Sequence, residues 1–172
     1  QRVTPAPWVN VLANVKLGTV LSESGSAYTW FQNAHECRLT PWSDDPVSDG
    51  CGEAFFIRDD ETGEFWSPTP LPARGATPYV TRHGMGYSVF EHTEQGIRSE
   101  LNIYVATDAP VKFAVLKIVN QSGQARQISV AGYWEWVLGE LRAHSLMHVV
   151  TELDARTGAV LARNPYSAEF GE

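Results

Sequence analysis

An alternation of apolar and polar side chains runs through Ile97-Arg98-Ser99-Glu100-Leu101-Asn102-Ile103-Tyr104-Val105. All the odd positions except Ser99 carry branched aliphatic side chains, and the even positions are mostly polar. Because successive side chains of a β-strand point to opposite faces, this period of two predicts a strand with one face on a hydrophobic core.

Two further segments extend the β pattern towards the C-terminus. Residues 111–119 are apolar at odd and even positions alike, which predicts a central strand with both faces covered. Residues 128–138 alternate again, with Ile128, Trp134 and Leu138 on one side. The segment Asn120-Gln121-Ser122-Gly123 between them has the composition of a turn, so we expect the two segments to form a hairpin.

Shorter strands are predicted in pairs around polar turns. The pairs cover residues 8–13 with 17–22, 53–58 with 64–67, and 146–153 with 159–163. No period of 3.6 residues persists beyond about two helical turns. The sequence therefore predicts a single domain over residues 1–172, all-β and antiparallel, built as a sandwich of large sheets.

The composition argues against several classes of partner. Thirteen Lys and Arg residues against twenty Asp and Glu residues give a formal charge of −7, which disfavours binding to nucleic acids and to anionic lipid surfaces. No apolar run reaches the roughly 20 residues of a membrane span. Aromatic residues make up 11% of the chain, a content that suits a β-rich core and equally suits stacking on sugar rings.

The sequence lacks the familiar metal and nucleophile motifs. His144 and His148 are four residues apart, but no third ligand accompanies them and the segment is predicted as a strand, so we expect no metal site. Cys37 and Cys51 are expected to be free thiols in a reducing compartment, because two cysteines in a domain of this size do not form a secreted disulfide framework.

Aromatic and hydrogen-bonding side chains are concentrated in residues 25–46. The group consists of Tyr28, Trp30, Asn33, His35, Arg38, Trp42 and Asp44. Sugars bind where planar rings stack on their apolar faces and polar groups hold their hydroxyls. The residues by themselves leave two interpretations open, namely a sugar site and a core strand followed by a polar loop. The acidic residues from Asp44 to Glu53 are best interpreted as a solvated loop, since their spacing singles out no catalytic pair.

Several motifs follow one another in a recognisable order. They are Pro7-Trp8-Val9-Asn10, Ser24-Gly25-Ser26-Ala27-Tyr28-Thr29-Trp30, Asn33-Ala34-His35-Glu36-Cys37-Arg38-Leu39-Thr40-Pro41-Trp42-Ser43-Asp44-Asp45-Pro46, Trp66-Ser67-Pro68-Thr69 and Arg74-Gly75-Ala76-Thr77-Pro78-Tyr79. Together they resemble the N-terminal β-supersandwich domain of family 94 glycoside hydrolases, formerly glycosyltransferase family 36. The form with Trp42 and Asp44 looks closest to cyclic β-1,2-glucan synthases and 1,2-β-oligoglucan phosphorylases. Cys37 departs from the pattern, in which a polar residue is expected.

The resemblance implies a galactose mutarotase-like supersandwich, truncated at its C-terminus, that belongs to a larger enzyme. In that family the catalytic aspartate and most of the phosphate site belong to a helical barrel, which this sequence lacks. The resemblance therefore implies no catalytic residue, no metal, no cofactor and no activity in residues 1–172 alone. The parent implied is a glycosyltransferase or an inverting glycoside phosphorylase. In such a phosphorylase a carboxylic acid protonates the glycosidic oxygen while inorganic phosphate, the co-substrate, attacks the anomeric carbon.

Site residues and partners are also implied by the resemblance. The family's N-terminal domain lends a loop to the sugar cleft, and the matching positions are Trp30, Asn33, His35, Arg38, Trp42 and Asp44, with Arg74 and Arg82 as weaker candidates. The implied partners are a β-glucan or glucooligosaccharide, the enzyme's own helical barrel and a second copy in a homodimer, with no nucleic acid and no membrane contact. The implied location is cytoplasmic, which is compatible with an inner-membrane anchor elsewhere in the parent chain.

Other functions stay open at this stage. A free-standing carbohydrate-binding module would bind glucooligosaccharides without a barrel, and a purely structural domain would not touch sugar at all. A mutarotase-like epimerase would need a histidine acid and a carboxylate base. His83 or His148, with Glu91 or Glu152, are the candidates for that pair.

Overall fold

A computed structural model describes residues 4–45 and 47–171 of the chain. Within them it contains twelve β-strands and one short α-helix. The elements are β1 Val9–Ala13, β2 Leu17–Ser22, β3 Ala27–Phe31, β4 Glu53–Asp59, β5 Phe65–Trp66, β6 Tyr79–Gly84, β7 Tyr87–Glu94, β8 Ile97–Val105, β9 Lys112–Asn120, β10 Ile128–Trp134, α1 Arg142–Ser145, β11 Val150–Leu153 and β12 Val160–Arg163. The predicted all-β class is confirmed.

The strands form four antiparallel sheets. The N-terminal sheet has the order β1-β2-β3, and the four-stranded sheet has the order β6-β7-β8-β9. The β4 sheet has the order β10-β4-β5, and β11 pairs with β12 in the C-terminal hairpin. The three predicted strand pairs around polar turns are therefore confirmed as β1–β2, β4–β5 and β11–β12.

Two hydrophobic clusters join the sheets into a sandwich. In the first, Leu12 and Leu21 of the N-terminal sheet pack with Phe90 and Leu101 of the four-stranded sheet. The second cluster joins the β4 sheet to the same four-stranded sheet, and its buried members are Ile57, Trp66 and Ile97. The four-stranded sheet is thus one layer, while the N-terminal and β4 sheets share the other.

The prediction of a central strand at residues 111–119 is wrong. This segment forms β9, which is the last strand of its sheet and pairs only with β8 within the described residues. Leu116 and Ile118 pack against the core, whereas Phe113 and Val115 point outwards and are 41% and 50% exposed. The second apolar row therefore lies on an open outer face.

The predicted hairpin between residues 111–119 and 128–138 is also wrong, because β10 pairs with β4 in the other layer. Asn120 forms its local turn, since its Oδ1 accepts the Ser122 N–H at 3.0 Å. The chain then crosses the sandwich, where the Arg126 guanidinium donates to the Asp59 carboxylate at the end of β4. This ion pair lies beside the first pair of the β10–β4 register, Ile128 with Asp59.

A buried polar network ties the two layers together near the start of β9. The interpretation of Glu53 as part of a solvated acidic loop is wrong, because Glu53 begins β4 and is buried. Lys112 Nζ lies 2.6 Å from Glu53 Oε2 and also donates to the hydroxyls of Thr19 and Thr29. The Thr29 and Thr40 hydroxyls donate to the other Glu53 oxygen. Burial by itself raises the pKa of Glu53, but Lys112 and these hydroxyls outweigh it and hold the pKa below its ordinary value.

No helix in the described part of the chain has the length and apolar character needed to cross a bilayer. The helix α1 spans four residues, Arg142–Ser145, and is followed by a turn up to β11. The expected strand at residues 146–153 therefore begins later, at Val150.

Candidate sugar-binding site

Two rings of β3 lie on the outer face of the N-terminal sheet. Ala27 and Thr29 point into the core, so Tyr28 and Trp30 lie on the other face of the sheet. Tyr28 is only 6% exposed there, with the rings of Trp30 and Trp42 beside it. The Trp30 indole covers Gly18 of the adjacent strand β2. A Cβ atom at Gly18 would lie 2.1 Å from Trp30 Cζ2, so only glycine leaves room for this ring.

Tyr28 is the centre of the site. Its ring centroid lies 5.2 Å from that of Trp30 and 5.2 Å from that of Trp42, and the Arg38 guanidinium lies 5.9 Å from it. Its hydroxyl donates to the Ala34 carbonyl. Burial raises the pKa of Tyr28, and the positive charge of Arg38 opposes that rise. We call Tyr28, Trp30, Arg38 and Trp42 the Tyr28 cluster.

Three of the positions implied by the family resemblance, Trp30, Arg38 and Trp42, therefore meet at Tyr28. Tyr28 belonged to the aromatic group predicted from the sequence, but it was not among the positions that the resemblance implied. Its place beside Trp30 could have been predicted from the sequence, because residues two apart on a strand share a face and Tyr28 precedes Trp30 by two.

Arg38 is held in the cluster by its backbone. It pairs with both Trp30 and Gly139 as isolated bridges, and its N–H donates to the Gly139 carbonyl at 3.1 Å. Its side-chain Nε is buried without a hydrogen-bond partner, and its guanidinium forms no ion pair within the described residues. Arg38 thus places a cation with unused donors beside the rings.

A cleft of about 190 Å³ lies next to the Tyr28 cluster. Tyr28, Pro41 and Trp42 line one part of it, and Trp42 is 41% exposed. The carboxyl groups along its rim are those of Asp44, Asp45 and Asp49.

The three rim carboxylates differ in how they are bonded. Asp45 accepts the Ser48 hydroxyl and two backbone N–H groups, and these bonds lower its pKa. Asp49 accepts the Ser22 hydroxyl at 2.7 Å. Asp44 has no side-chain hydrogen bond within the described residues and is exposed, so it is the carboxylate available to a ligand.

Asn33 and His35 lie on the neighbouring turn. Asn33 Oδ1 accepts the backbone N–H groups of His35 and Glu36, at 2.8 and 3.1 Å. His35 is exposed, and its Nε2 lies 3.7 Å from Glu140 Oε1. Their contacts shape the turn that receives the Tyr28 hydroxyl, and neither residue lines the cleft.

The weaker candidates lie in other parts of the fold. Arg74 Nε donates to the Pro70 carbonyl at 3.3 Å. Arg82 forms an ion pair with Glu91 on the outer face of the four-stranded sheet. The structure therefore separates both arginines from the Tyr28 cluster.

The two cysteines are unbonded thiols, as predicted. Burial raises the pKa of Cys37, and it raises that of Cys51 to about 11. The loop around Cys37 is held by backbone bonds, since Cys37 donates its N–H to Asn33 and accepts the N–H of Phe31. The loop therefore does not need a polar side chain at this position, where the family resemblance led us to expect one.

The histidines show neither a metal centre nor an acid–base pair. Within residues 4–45 and 47–171, no group of three or more potential ligands could hold a metal ion. His83 Nδ1 lies 2.9 Å from the Ser88 hydroxyl on the inner face, whereas Glu91 lies on the opposite face of the same sheet. His148 stacks on Tyr166, and Glu152 pairs with Arg163.

Residues 1–172 match the family model of the glycosyl hydrolase 94 supersandwich domain. The chain belongs to this family. Over 168 residues it is 39% identical to the cyclic beta-(1,2)-glucan synthase NdvB of Rhizobium meliloti, a match that covers 97% of this chain and 6% of that protein. It is also 31% identical over 156 residues to the N,N'-diacetylchitobiose phosphorylase of Vibrio furnissii, covering 89% of this chain and 20% of that one.

A third relative is the solabiose phosphorylase of Paenibacillus borealis, 29% identical over 142 residues, which are 78% of this chain and 18% of that protein. The predicted family is thus confirmed, and the chain spans a fifth or less of the length of these relatives.

Proposed function

We propose that this supersandwich domain is a noncatalytic N-terminal part of a family 94 enzyme acting on a β-glucan, and that the Tyr28 cluster supports its sugar cleft. The observation that carries the proposal is that exposed Trp42 and Asp44 line one cleft together with Tyr28, while the Arg38 guanidinium, which forms no ion pair within the described residues, lies 5.9 Å from the Tyr28 ring. The names of the relatives supply the substrate class, since they include a glucan synthase and disaccharide phosphorylases.

The side chains of the Tyr28 cluster and Asp44 have distinct roles in this proposal. Trp42 stacks on the apolar face of a glucosyl ring. Tyr28, which contacts both Trp42 and Trp30, holds the Trp42 ring in its orientation. Arg38 donates in a fork to a sugar hydroxyl or to a carboxylate of the adjoining domain. Asp44 accepts a hydrogen bond from a second hydroxyl.

The chemistry itself belongs to other parts of the enzyme. In an inverting phosphorolysis the acid that protonates the glycosidic oxygen comes from a helical barrel, and inorganic phosphate is the nucleophile, so no general base is needed. We propose that this domain contributes no catalytic group and no cofactor site. Its partners are that barrel and a second copy of the chain, and it works in the cytoplasm.

The proposal is tested on the 172-residue chain with β-1,2-glucooligosaccharides. Tryptophan fluorescence should report binding, and Trp42→Ala should weaken it by at least about tenfold, because a stacking ring contributes on the order of 1–3 kcal/mol. Tyr166→Ala, which removes an exposed ring far along the chain, is the matched control. With glucan and phosphate, no glucose 1-phosphate should form.

Two results would contradict these statements separately. Formation of glucose 1-phosphate by the purified chain would show that the domain is catalytic. Equal affinity of wild type and Trp42→Ala for the oligosaccharide would show that the Tyr28 cluster does not bind sugar. The epimerase alternative is not favoured, because His83 and Glu91 lie on opposite faces of their sheet.

A further inference from the structure

A cavity of about 360 Å³ lies between the two layers of the sandwich, at the start of β9. Glu53 and Phe55 of β4 line it from one layer, and Lys112 and Ala114 of β9 line it from the other. The members of each pair are two residues apart on their strand, so they face the same way. Trp134 also lines the cavity and is 41% exposed, which leaves the cavity open to solvent. Its volume lies within the range of about 300–1,000 Å³ that is typical of small-molecule sites.

Three aromatic rings form the apolar wall of this cavity, namely those of Phe55, Trp134 and Trp136. Phe55 and Trp134 meet edge to face, with ring centroids 5.6 Å apart and an interplanar angle of 88°. The backbone around Trp136 is tied down on both sides, since the N–H groups of Glu135 and Val137 donate to carbonyls of other segments at 2.8 and 2.9 Å. Contacts within the domain therefore hold the wall in place, which lowers the entropic cost of binding a ligand.

The polar end of the cavity is formed by the buried pair of Glu53 and Lys112. Lys112 Nζ donates to Glu53 Oε2 and to the hydroxyls of Thr19 and Thr29, which uses its three N–H groups. Glu53 Oε1 accepts the hydroxyls of Thr29 and Thr40, whereas Oε2 accepts only Lys112 within the described residues. A carboxylate oxygen has two lone pairs, so Oε2 keeps one for a further hydroxyl donor.

Charge and polarity together define the kind of ligand that suits the cavity. Within residues 4–45 and 47–171, Glu53 and Lys112 are the only charged residues that line it, and their charges cancel. An anion or a cation would compete with one partner of this pair, so the cavity suits a neutral ligand. A purely apolar ligand would cover the free lone pair of Glu53 without a hydrogen bond, which costs free energy. A pyranose offers both an apolar face for the indole rings and hydroxyls for the carboxylate.

This cavity is separate from the cleft beside the Tyr28 cluster. Thr29 lines the cavity, whereas Tyr28 and Trp30 of the same strand lie on the other face of β3. Trp42 and Asp44 line the cleft and do not line the cavity. Substitutions can therefore remove the two sites independently.

We infer that this cavity binds one neutral pyranose unit. An apolar face of the sugar lies against Trp134 and Trp136, and one of its hydroxyls donates to Glu53 Oε2, while the ion pair with Lys112 stays in place. The choice of glucose over other neutral pyranoses rests on the proposed function.

The experiment is a titration of the ¹⁵N-labelled chain with methyl β-glucoside, followed by NMR of the indole N–H signals. The signals of Trp134 and Trp136 should shift and saturate, and the signal of Trp42 reports separately on the Tyr28 cluster. Ala114→Leu fills the cavity from an exposed position and should weaken the binding by at least about tenfold. Ala131→Leu makes the same change at an exposed position of β10 that does not line the cavity, so it is the matched control and should keep the wild-type affinity.

Two further measurements guard against a misfolded variant and against a general apolar cavity. Trp134→Ala removes a partly exposed ring without adding bulk, and it should also weaken the binding by at least about tenfold, as read from the Trp136 signal. Toluene has an apolar ring and no hydroxyl, so it should bind more weakly than the glucoside. Tighter binding of toluene than of the glucoside would overturn the inference.

The outcomes also separate this inference from the proposed function. If the glucoside shifts only the Trp42 signal, the cavity does not bind a pyranose and the proposed function stands. If it shifts the signals of Trp134 and Trp136 and Ala114→Leu abolishes those shifts, the cavity site is confirmed whatever Trp42→Ala does to oligosaccharide binding. Equal affinities of Ala114→Leu and Ala131→Leu, or no shift at tens of millimolar glucoside, would overturn the inference and leave the Tyr28 cluster to its own test.

Discussion

The neighbouring strands β8 and β9 have the same length and very different surroundings. Each spans nine residues, and they pair along their whole length. Ile97, Leu101 and Ile103 of β8 are buried, whereas Phe113 and Val115 of β9 face outwards. The difference teaches that apolar residues on both faces of a strand do not place it at the centre of a sheet. They indicate instead that side chains on both faces have packing partners. On the outer face of β9, one such partner is the Tyr104 ring, which stacks on Phe113.

The contrast recurs within β9 itself. Lys112 has only 14% of its side chain exposed and is paired with Glu53, whereas Lys117, five residues later, is exposed on the outer face. The same residue type on the same strand is therefore part of the core at one end and part of the surface at the other.

The largest effect is expected from Lys112→Met compared with Lys117→Met. Removing Lys112 leaves the Glu53 carboxylate buried without its cation, which should lower the free energy of unfolding by about 3–5 kcal/mol. Lys117→Met should change it by less than about 0.5 kcal/mol. Urea denaturation followed by circular dichroism measures both. Similar losses in the two variants would contradict the assignment of Lys112 to the core.

A smaller difference is expected between Leu101→Ala and Val115→Ala. Leu101 is completely buried between the layers, so its truncation should cost about 2–4 kcal/mol through lost burial and the cavity it leaves. Val115 is half exposed, and its truncation should cost under about 1 kcal/mol. The same denaturation curves give both values. A loss at Val115 that matches the loss at Leu101 would show that the outer face of β9 is covered in solution.

The smallest effect is a pH dependence of the Glu53 contribution. Because the folded-state pKa of Glu53 is held below its ordinary value of 4.5, its contribution is complete above that pH and is lost as pH falls through the folded-state pKa. The stability gap between wild type and Glu53→Gln should therefore narrow as pH is lowered from 6 to about 3. Exposed Glu64→Gln is the control and should show no such narrowing. A gap that widens towards low pH would contradict the assigned direction.

The local sequence pattern was sufficient to predict the strands and most of the turns. The alternation in β8 and the pairs of strands around Asn14 and around Asp59-Asp60-Glu61-Thr62-Gly63 were predicted from side-chain period and turn chemistry, and the structure shows them. These features depend on residues within a few positions of one another, and period and turn preference report such interactions directly.

The candidate site was predicted in part. Trp30, Arg38 and Trp42 came from one segment and meet in space at Tyr28, which the sequence placed in the same aromatic group but which was not among the positions implied by the family resemblance. Asn33 and His35 came from the same segment and lie on the adjacent turn. Sequence proximity gathered the right segment, but it does not separate the residues that line the cleft, Tyr28, Trp42 and Asp44, from Trp30, Asn33, His35 and Arg38, which do not line it. That distinction depends on how the loop after β3 folds, which the composition of the segment does not specify.

By itself, the sequence determined an antiparallel all-β chain, the location of its turns and its membership of the glycosyl hydrolase 94 supersandwich family. The tertiary structure decided which layer each strand joins, that β9 is the last strand of its sheet within residues 4–45 and 47–171, and that Tyr28 lies beside Trp30, Trp42 and Arg38. The physical reason is that a strand's period specifies its two faces but not its neighbours. Those neighbours are chosen by long-range contacts such as Arg126 with Asp59 and Lys112 with Glu53, whose partners lie 67 and 59 residues apart.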